Sequence, residues 1–538
     1  MFVSVAMLRR LFRPPTPIQV RPAHPATRQL EVTKAVWGDG ALILSGWLTG
    51  SGRPLVLRHG ESGREQLFPL NVSGDAFTVM LPVTALPTFG ATLPMPSGDW
   101  SLRGCRWAGQ DLPDARAEGM HVFTLRKGRD NRLILRVRKN FSPDEQGSAA
   151  QAALQQGFYQ QQRRQDVRKM IVFDSTFGKR CSCNPRAIFE ELQRHEPDLE
   201  FIWISADGQF SPPGGARTVL KNSREHYQAL ARARLVIANS RMVPWYQKRD
   251  GQTYIQTWHG TPLKTLGFDL TTLAEFRGQG WEQIRMDVAQ WDFLISPNPY
   301  TTQIMRRAYQ YDGEVVEIGY PRNDLLKAPD AEERRAAVRA RLGIAPDKRV
   351  VLYAPTWRDD LIIGPGPRRA YELALNVKRA QAALGHDHVL LLRAHHYMAT
   401  ARAWRRDSGF VVDVSDYPDI AELYLAADVL ITDYSSAMFD FAVTGKPMLF
   451  FVYDLERYRD EVHGFYFDLE AQAPGPVLRT SDEVVDALRA GTQDAYAGAY
   501  SAFVKTYCPY DDGFASARAS KRILTIAPEL MRSSSGRA

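Results

Sequence analysis

Short apolar runs recur from residue 169 to about residue 525, each followed by a polar turn and then by a stretch with helical spacing. Runs at 170–173, 199–204, 235–238, 253–257, 293–295 and 315–318 form one set, and runs at 349–353, 389–392, 411–412, 429–431 and 448–452 form a second. Runs this short, without polar alternation, read as strands buried on both faces, as in parallel sheets. Helix signals fall between them. Asn184-Pro185 and Asn298-Pro299 pair a strong N-cap with a proline suited to the first turn, and Ser223 offers a further cap. A charged helix is expected over 331–342, Gly445-Lys446-Pro447 stops a helix over 436–443, and Thr480-x-x-Glu483 is a capping box. The alternation predicts two consecutive α/β halves, 169–325 and 326–526, each a mostly parallel sheet with helices on both faces.

The first part of the chain has another texture. Over 29–140, apolar runs at 41–48, 54–58, 76–81, 121–126 and 132–137 are separated by Gly, Pro, Ser and Asp. That spacing predicts a smaller all-β domain resembling an antiparallel sandwich or barrel, and no catalytic constellation occurs in it. Residues 141–168, rich in Gln, Ala and Arg, read as a linking helix. Residues 1–28 read as a basic, Pro-rich tail without fixed structure, and 527–538 as a second tail.

Composition narrows the classes. A chain of 538 residues exceeds one hydrophobic core, and its 44% hydrophobic and 24% charged residues are ordinary for a globular protein. A net charge of +8 suits an anionic partner without choosing between nucleic acid, an acidic membrane surface and a phosphorylated substrate. Four scattered cysteines fit no disulfide framework, and Cys181-x-Cys183 lacks a second ligand pair for zinc, so a reducing, cytoplasmic setting is expected. No stretch approaches the ~20 apolar residues of a membrane span. Residues 2–8 are apolar and Arg9, Arg10 and Arg13 follow, the reverse of a secretory signal. An amphipathic foot on an anionic membrane and a frayed basic tail are both compatible with that order.

Candidate chemistry sits on turns after predicted strands, where α/β folds place their ligands. His259 stands between a strand and Gly260, beside Trp258, Thr261 and Lys264; it suits a general base, although a lone histidine also serves structurally. Arg393 and His395, two apart at a strand end, would face the same way and suit a diphosphate. Ser435 and Ser436 offer hydroxyls and backbone N–H groups at a helix start, an anion site if not an ordinary cap. Asp433 would orient a hydroxyl, bind a ribose or cap the helix; Thr356 and Arg358 read as a further phosphate or nucleotide contact; Arg322 and Asn323, at the crossover between halves, read as hinge or binding residues. No Walker motif, HExxH, GxSxG or paired CxxC occurs, and no carboxylate cluster calls for a metal.

The ordered motifs Trp258-His259-Gly260-Thr261-Pro262-Leu263-Lys264, Gly319-Tyr320-Pro321-Arg322-Asn323-Asp324, Tyr353-Ala354-Pro355-Thr356-Trp357-Arg358, Arg393-x-His395 and Thr432-Asp433-Tyr434-Ser435-Ser436 resemble the CDP-glycerol glycerophosphotransferase family, which includes teichoic acid primases and polymerases. The resemblance covers about 169–525. It implies a GT-B fold, two Rossmann-like domains facing a cleft, the first for acceptor and base and the second for the nucleotide donor. It implies transfer of glycerol phosphate, or a related polyol phosphate, from CDP-glycerol to an acceptor hydroxyl with release of CMP and no cofactor. His259 would be the general base, and His395 with Ser435 and Ser436 would hold the diphosphate. The implied partners are CDP-glycerol, a lipid-linked or polymeric glycan and an anionic membrane surface on the inner face of the cell membrane, with no nucleic acid. Ala394 and His396 flank the Arg-x-His histidine where family members often carry prolines. A GT-B glycosyltransferase using a nucleotide-sugar, and a non-catalytic binder of anionic glycan, are the alternative readings.

Overall fold

The computed structural model describes residues 29–49, 54–89, 91–270, 280–356, 358, 373–394, 409–491 and 494–530. The two expected tails lie largely outside the described residues, as do Trp357, His395 and His396. The fold is mixed α/β, with three main sheets among the described residues.

Ten of the strands in 29–139 join into one sheet curled around its own core of Leu42, Leu44, Leu57, Val79, Trp100, Leu125 and Leu135, and Leu86–Thr88 pairs apart from it with Ala91–Leu93. Pairing is antiparallel except where Leu30–Val32 runs parallel to Cys105–Trp107. The strand Gly98–Trp107 is the branch point, pairing with Leu55–His59 and Gln29–Trp37 on one edge and Arg132–Lys139 on the other. The arrangement is therefore one sheet that splits rather than two separate layers. Helical segments Gly147–Ala153, Leu154–Phe158 and Tyr159–Gln162 follow, and bury Leu154 and Tyr159 against the first α/β half.

That half is a seven-stranded parallel sheet in the order Arg217–Leu220, Glu200–Ser205, Arg168–Asp174, Ala233–Ala238, Thr253–Gln256, Phe293–Ser296, Glu314–Glu317. Successive side chains alternate faces. Val172, Ile202, Val236 and Leu294 enter one core, and Ile171, Phe173, Trp203, Ile237 and Ile295 enter the other. The second half repeats the plan with six parallel strands: Val411–Asp413, His388–Leu392, Arg349–Ala354, Val429–Thr432, Met448–Phe451, Val477–Leu478. Its two cores divide Leu352, Leu391 and Leu430 from Val351, Leu390 and Ile431. In each sheet the first strand in sequence lies inside, so the strand order reverses beside it. That reversal opens a crevice at the strand C-termini.

One helix crosses back. The sequence reading placed everything to residue 526 in the second half, but Ala515–Ile526 packs Ala519 and Ile523 into the first half's core beside Ile171 and Ile188. The Gly319–Asp324 motif makes the return possible. Gly319 has φ +82°, and a Cβ there would lie 2.5 Å from the Tyr510 carbonyl oxygen. Asn323 donates to Asp511 at 2.9 Å, and Asp324 accepts the first N–H groups of the returning helix, from Ala515 at 3.0 Å and Ser516 at 2.7 Å.

Candidate active site

Turns from both sheets enclose a cavity of about 530 Å³. From the first half, the chain leaves Thr253–Gln256 and reverses at Trp258, whose φ of +51° is uncommon for a large residue and costs roughly 1–3 kcal/mol. The surroundings hold it there: Trp258 N–H donates to Gln256 Oε1 at 3.0 Å, and Asn184 Nδ2 donates to the Thr257 and Trp258 carbonyls at 3.0 and 3.1 Å. The reversal brings out His259, which lines the cavity and is solvent-accessible. Its Nδ1 lies 2.7 Å from the Asn239 carbonyl oxygen. A carbonyl only accepts, so Nδ1 carries the proton and Nε2 keeps its lone pair. Desolvation by the surrounding protein lowers the imidazole pKa below the ordinary histidine value; the Asn239 bond opposes this and the Arg322 guanidinium adds to it. The ring is a neutral base at pH 7.

Gly260 brings the other half close. A Cβ on it would lie 2.7 Å from Ser436 Oγ, so only glycine lets the turn approach the serine so nearly. Ser435 and Ser436 follow the strand Val429–Thr432 and line the cavity; Ser435 Oγ accepts the Ala437 N–H at 3.2 Å, and Ser436 caps no N–H with its side chain. Thr356 lines the same wall, with its N–H on Asp433 Oδ1 at 2.8 Å and a buried Oγ1 without a protein partner.

Among the described residues, three cations reach the cavity. Lys264 comes from the histidine turn, with Nζ 3.5 Å from Tyr458 Oη. Arg393 donates to the Val414 and Tyr417 carbonyls at 3.0 and 2.8 Å, and Arg180 crosses from the first half to the same Tyr417 carbonyl at 2.7 Å. Among the described residues neither arginine makes a direct ion pair, although Asp416 and Asp419 are near enough to favour the charge of both. Burial, and then repulsion by Arg180, pulls the Arg393 pKa down to about 10; burial likewise lowers that of Arg180. Both remain protonated at neutral pH. Arg180 carried no signal in the sequence reading, because its loop has no periodic pattern.

Thus the structure brings His259, Thr261, Lys264, Thr356, Arg393, Ser435 and Ser436 together around one cavity. His395 lies outside the described residues, next to Ala394, which lines the cavity. Four other candidates stand behind the wall. Arg322 holds Asp440 through two nitrogen–oxygen contacts of 2.8 and 2.9 Å and donates to the His259 carbonyl at 2.8 Å, fastening the histidine turn to the helix that follows Ser436. Asn323 is committed to Asp511. Arg358 is 1% exposed and lies between Asp433 and Asp454, at 3.0 and 2.8 Å, with Tyr434, Tyr453 and Tyr458 rings around it. Asp433 also accepts the Thr356 and Tyr434 N–H groups. These side chains meet protein, not the cavity: a buried charge needs a partner, and each has found one. Among the described residues, no group of three or more His, Cys, Asp or Glu is placed to hold a metal ion.

Opposed parallel-sheet termini around a cation-lined cavity with a reachable imidazole define a class of α/β proteins that hold an anionic ligand between two sheets. Within that class, the chain belongs to the CDP-glycerol:poly(glycerophosphate) glycerophosphotransferase family, matched over residues 157–525. It is 38% identical over 399 residues to a teichoic acid poly(glycerol phosphate) polymerase of Bacillus subtilis, covering 72% of this chain and 53% of that protein. It is 39% identical over 366 residues to a teichoic acid glycerol-phosphate transferase of Staphylococcus aureus, covering 66% of this chain and 93% of that protein. The match thus spans about half the length of the first relative and nearly all of the second. A solved structure of the wall teichoic acid polymerase TagF superposes with a TM-score of 0.66 at 35% identity, covering 72% of this chain and 95% of that one. Residues 29–140 lie outside the family match.

Proposed function

We propose that the protein transfers glycerol phosphate, or a related polyol phosphate, from CDP-glycerol to an acceptor hydroxyl on a membrane-linked glycan or teichoic-acid-like polymer. The two halves then act as a GT-B pair, with the base on the first and the donor on the second. One observation carries the reading: His259 gives Nδ1–H to a backbone carbonyl and turns a basic Nε2 to a cavity walled by cationic side chains and serine hydroxyls. In the reaction the acceptor oxygen bonds to the phosphorus that bears glycerol, and the bond from that phosphorus to the bridging oxygen breaks. CMP leaves with that oxygen, and His259 Nε2 takes the hydroxyl proton. Arg180, Arg393 and Lys264 meet the charge that gathers on the bridging oxygen, with Ser435 and Ser436 as neutral donors beside them. His395 is assigned to the same diphosphate. The reading invokes no metal or cofactor, and it places the protein on the inner face of the cell membrane. No described helix is long and apolar enough to cross a membrane.

The test is product analysis with CDP-glycerol and a panel of lipid-linked acceptors. CMP released only when an acceptor is present is the expected result. Release of a nucleoside diphosphate from a nucleotide-sugar instead would replace phosphate transfer with sugar transfer.

A further inference from the structure

We propose that an arginine-lined groove on the β-rich unit binds the phosphodiester backbone of the polymer being extended. The proposal rests on the transfer reading for the identity of the polyanion; the groove itself lies outside the matched family region.

The groove, about 710 Å³, lies between residues 101–106 and 128–134 and carries Arg103, Arg106, Arg129 and Arg132. All four are exposed. A bulge creates it: pairing along Gly98–Trp107 jumps from Ser101 opposite Ile134 to Arg106 opposite Arg132, with Gly104 at φ +73° between. Arg106 and Arg132 therefore stand directly across the ladder, where like charges repel. Glu65 approaches Arg103 at 3.8 Å, but among the described residues no carboxylate pairs with Arg106, Arg129 or Arg132. The neighbouring strand positions show the contrast. There Asp99 is clasped by Arg126 and Arg136 at 2.6 Å each, and the hydrogen bond from Arg136 leads in holding its carboxyl down at about 2. An uncompensated set of guanidinium forks costs stability unless a ligand neutralises it, and phosphate oxygens are the matched acceptors. Four separate forks suit a repeating phosphodiester better than one phosphate.

Position adds a length dependence. The strand starts beside Ser97, whose N–H donates to Asp207 of the first half at 2.8 Å. Arg106 lies opposite Arg132 where Gly98 lies opposite Val137, five ladder positions along, roughly 17 Å at strand rise. The groove and the cavity share no lining residue, so an acceptor that fills the groove while its end reacts has to extend beyond a single unit.

The experiment uses the full chain and a fluorescently labelled poly(glycerol phosphate) of many units, with binding read by anisotropy. Arg106→Glu combined with Arg132→Glu, and separately Arg129→Glu on the adjoining turn, are expected to weaken binding tenfold or more. Transfer to a single-unit acceptor stays at the wild-type rate, and transfer to the long chain slows at subsaturating polymer. Arg132→Gln is expected to raise the melting temperature of the free protein while weakening polymer binding, the pattern of a site kept at the expense of stability. Unchanged polymer affinity in folded charge-reversal variants overturns the proposal. So does displacement of the polymer by single-stranded DNA of equal charge as effectively as by unlabelled polymer, which would make the groove a general polyanion surface. Absence of CMP release in wild type, with the arginine-dependent binding intact, would count against the transfer reading and leave the groove standing.

Discussion

The two turns that face each other across the cavity are built in opposite ways. After Thr253–Gln256, the titratable side chain, His259, faces out on the Asn239 carbonyl, while the Asn184 side-chain amide and the Arg322 guanidinium hold the turn's own carbonyls from behind. After Val429–Thr432, the titratable side chain, Asp433, faces in and is tied to Arg358 and two N–H groups, so that only hydroxyls reach the cavity. The histidine thus shares its chain segment with Lys264, and the serine hydroxyls stand on the other. A group that must change its charge is left where charge can leave; a group that must keep its charge is sealed with a partner.

Breaking the first turn should have the largest effect. His259→Ala is expected to lower transfer by about 10²–10⁴-fold, the usual worth of a general base, while CDP-glycerol affinity measured by calorimetry changes little. A wild-type rate in that variant would remove His259 from the role. Breaking the second turn should show in stability instead. Arg358→Ala leaves Asp433 and Asp454 buried without their cation, and chemical denaturation should report a loss of about 3–5 kcal/mol. Gly260→Ala tests the seam between the turns. The added methyl meets Ser436 Oγ, so one side must move, at roughly 1–3 kcal/mol, and the KM for donor should rise with it. Smallest is the pH effect. Burial lowers the His259 pKa, so the neutral base persists on acidification past the point where an ordinary histidine titrates. The acid limb of kcat/KM should fall below the usual midpoint near 6.5, and should be absent in His259→Ala.

How much of this was legible in the sequence depended on range. Strands buried on both faces announced themselves as apolar runs, and caps at Ser223, Asn298 and Thr480 stand where their side chains predicted. The strands Arg217–Leu220 and Val477–Leu478 went unread because each offers two apolar residues and follows a Pro/Gly-rich stretch that reads as turn. Gly98–Trp107 went unread for a different reason: the bulge at Gly104 shifts the buried positions from Trp100 and Leu102 to Cys105 and Trp107, breaking the period of two. At the site, residue types at strand ends marked the right turns. They did not say which charge would meet a distant partner. Arg358 with Asp454 and Arg322 with Asp440 are separated by about a hundred positions, and only the fold reveals that those arginines are already engaged. Arg180 is the reverse case, an unmarked residue that the fold delivers to the cavity.

The returning helix Ala515–Ile526 also bears on synthesis. The first half begins at residue 168, yet the surface of Ile171 and Ile188 waits for Ala519 and Ile523. A ribosome adds roughly 5–20 residues per second, so that apolar face stays uncovered for on the order of ten seconds or more while the second half emerges. The later-made half has all of its sheet before the earlier-made half has its last helix, and a chain halted near residue 510 would expose a sticky face on an otherwise folded protein.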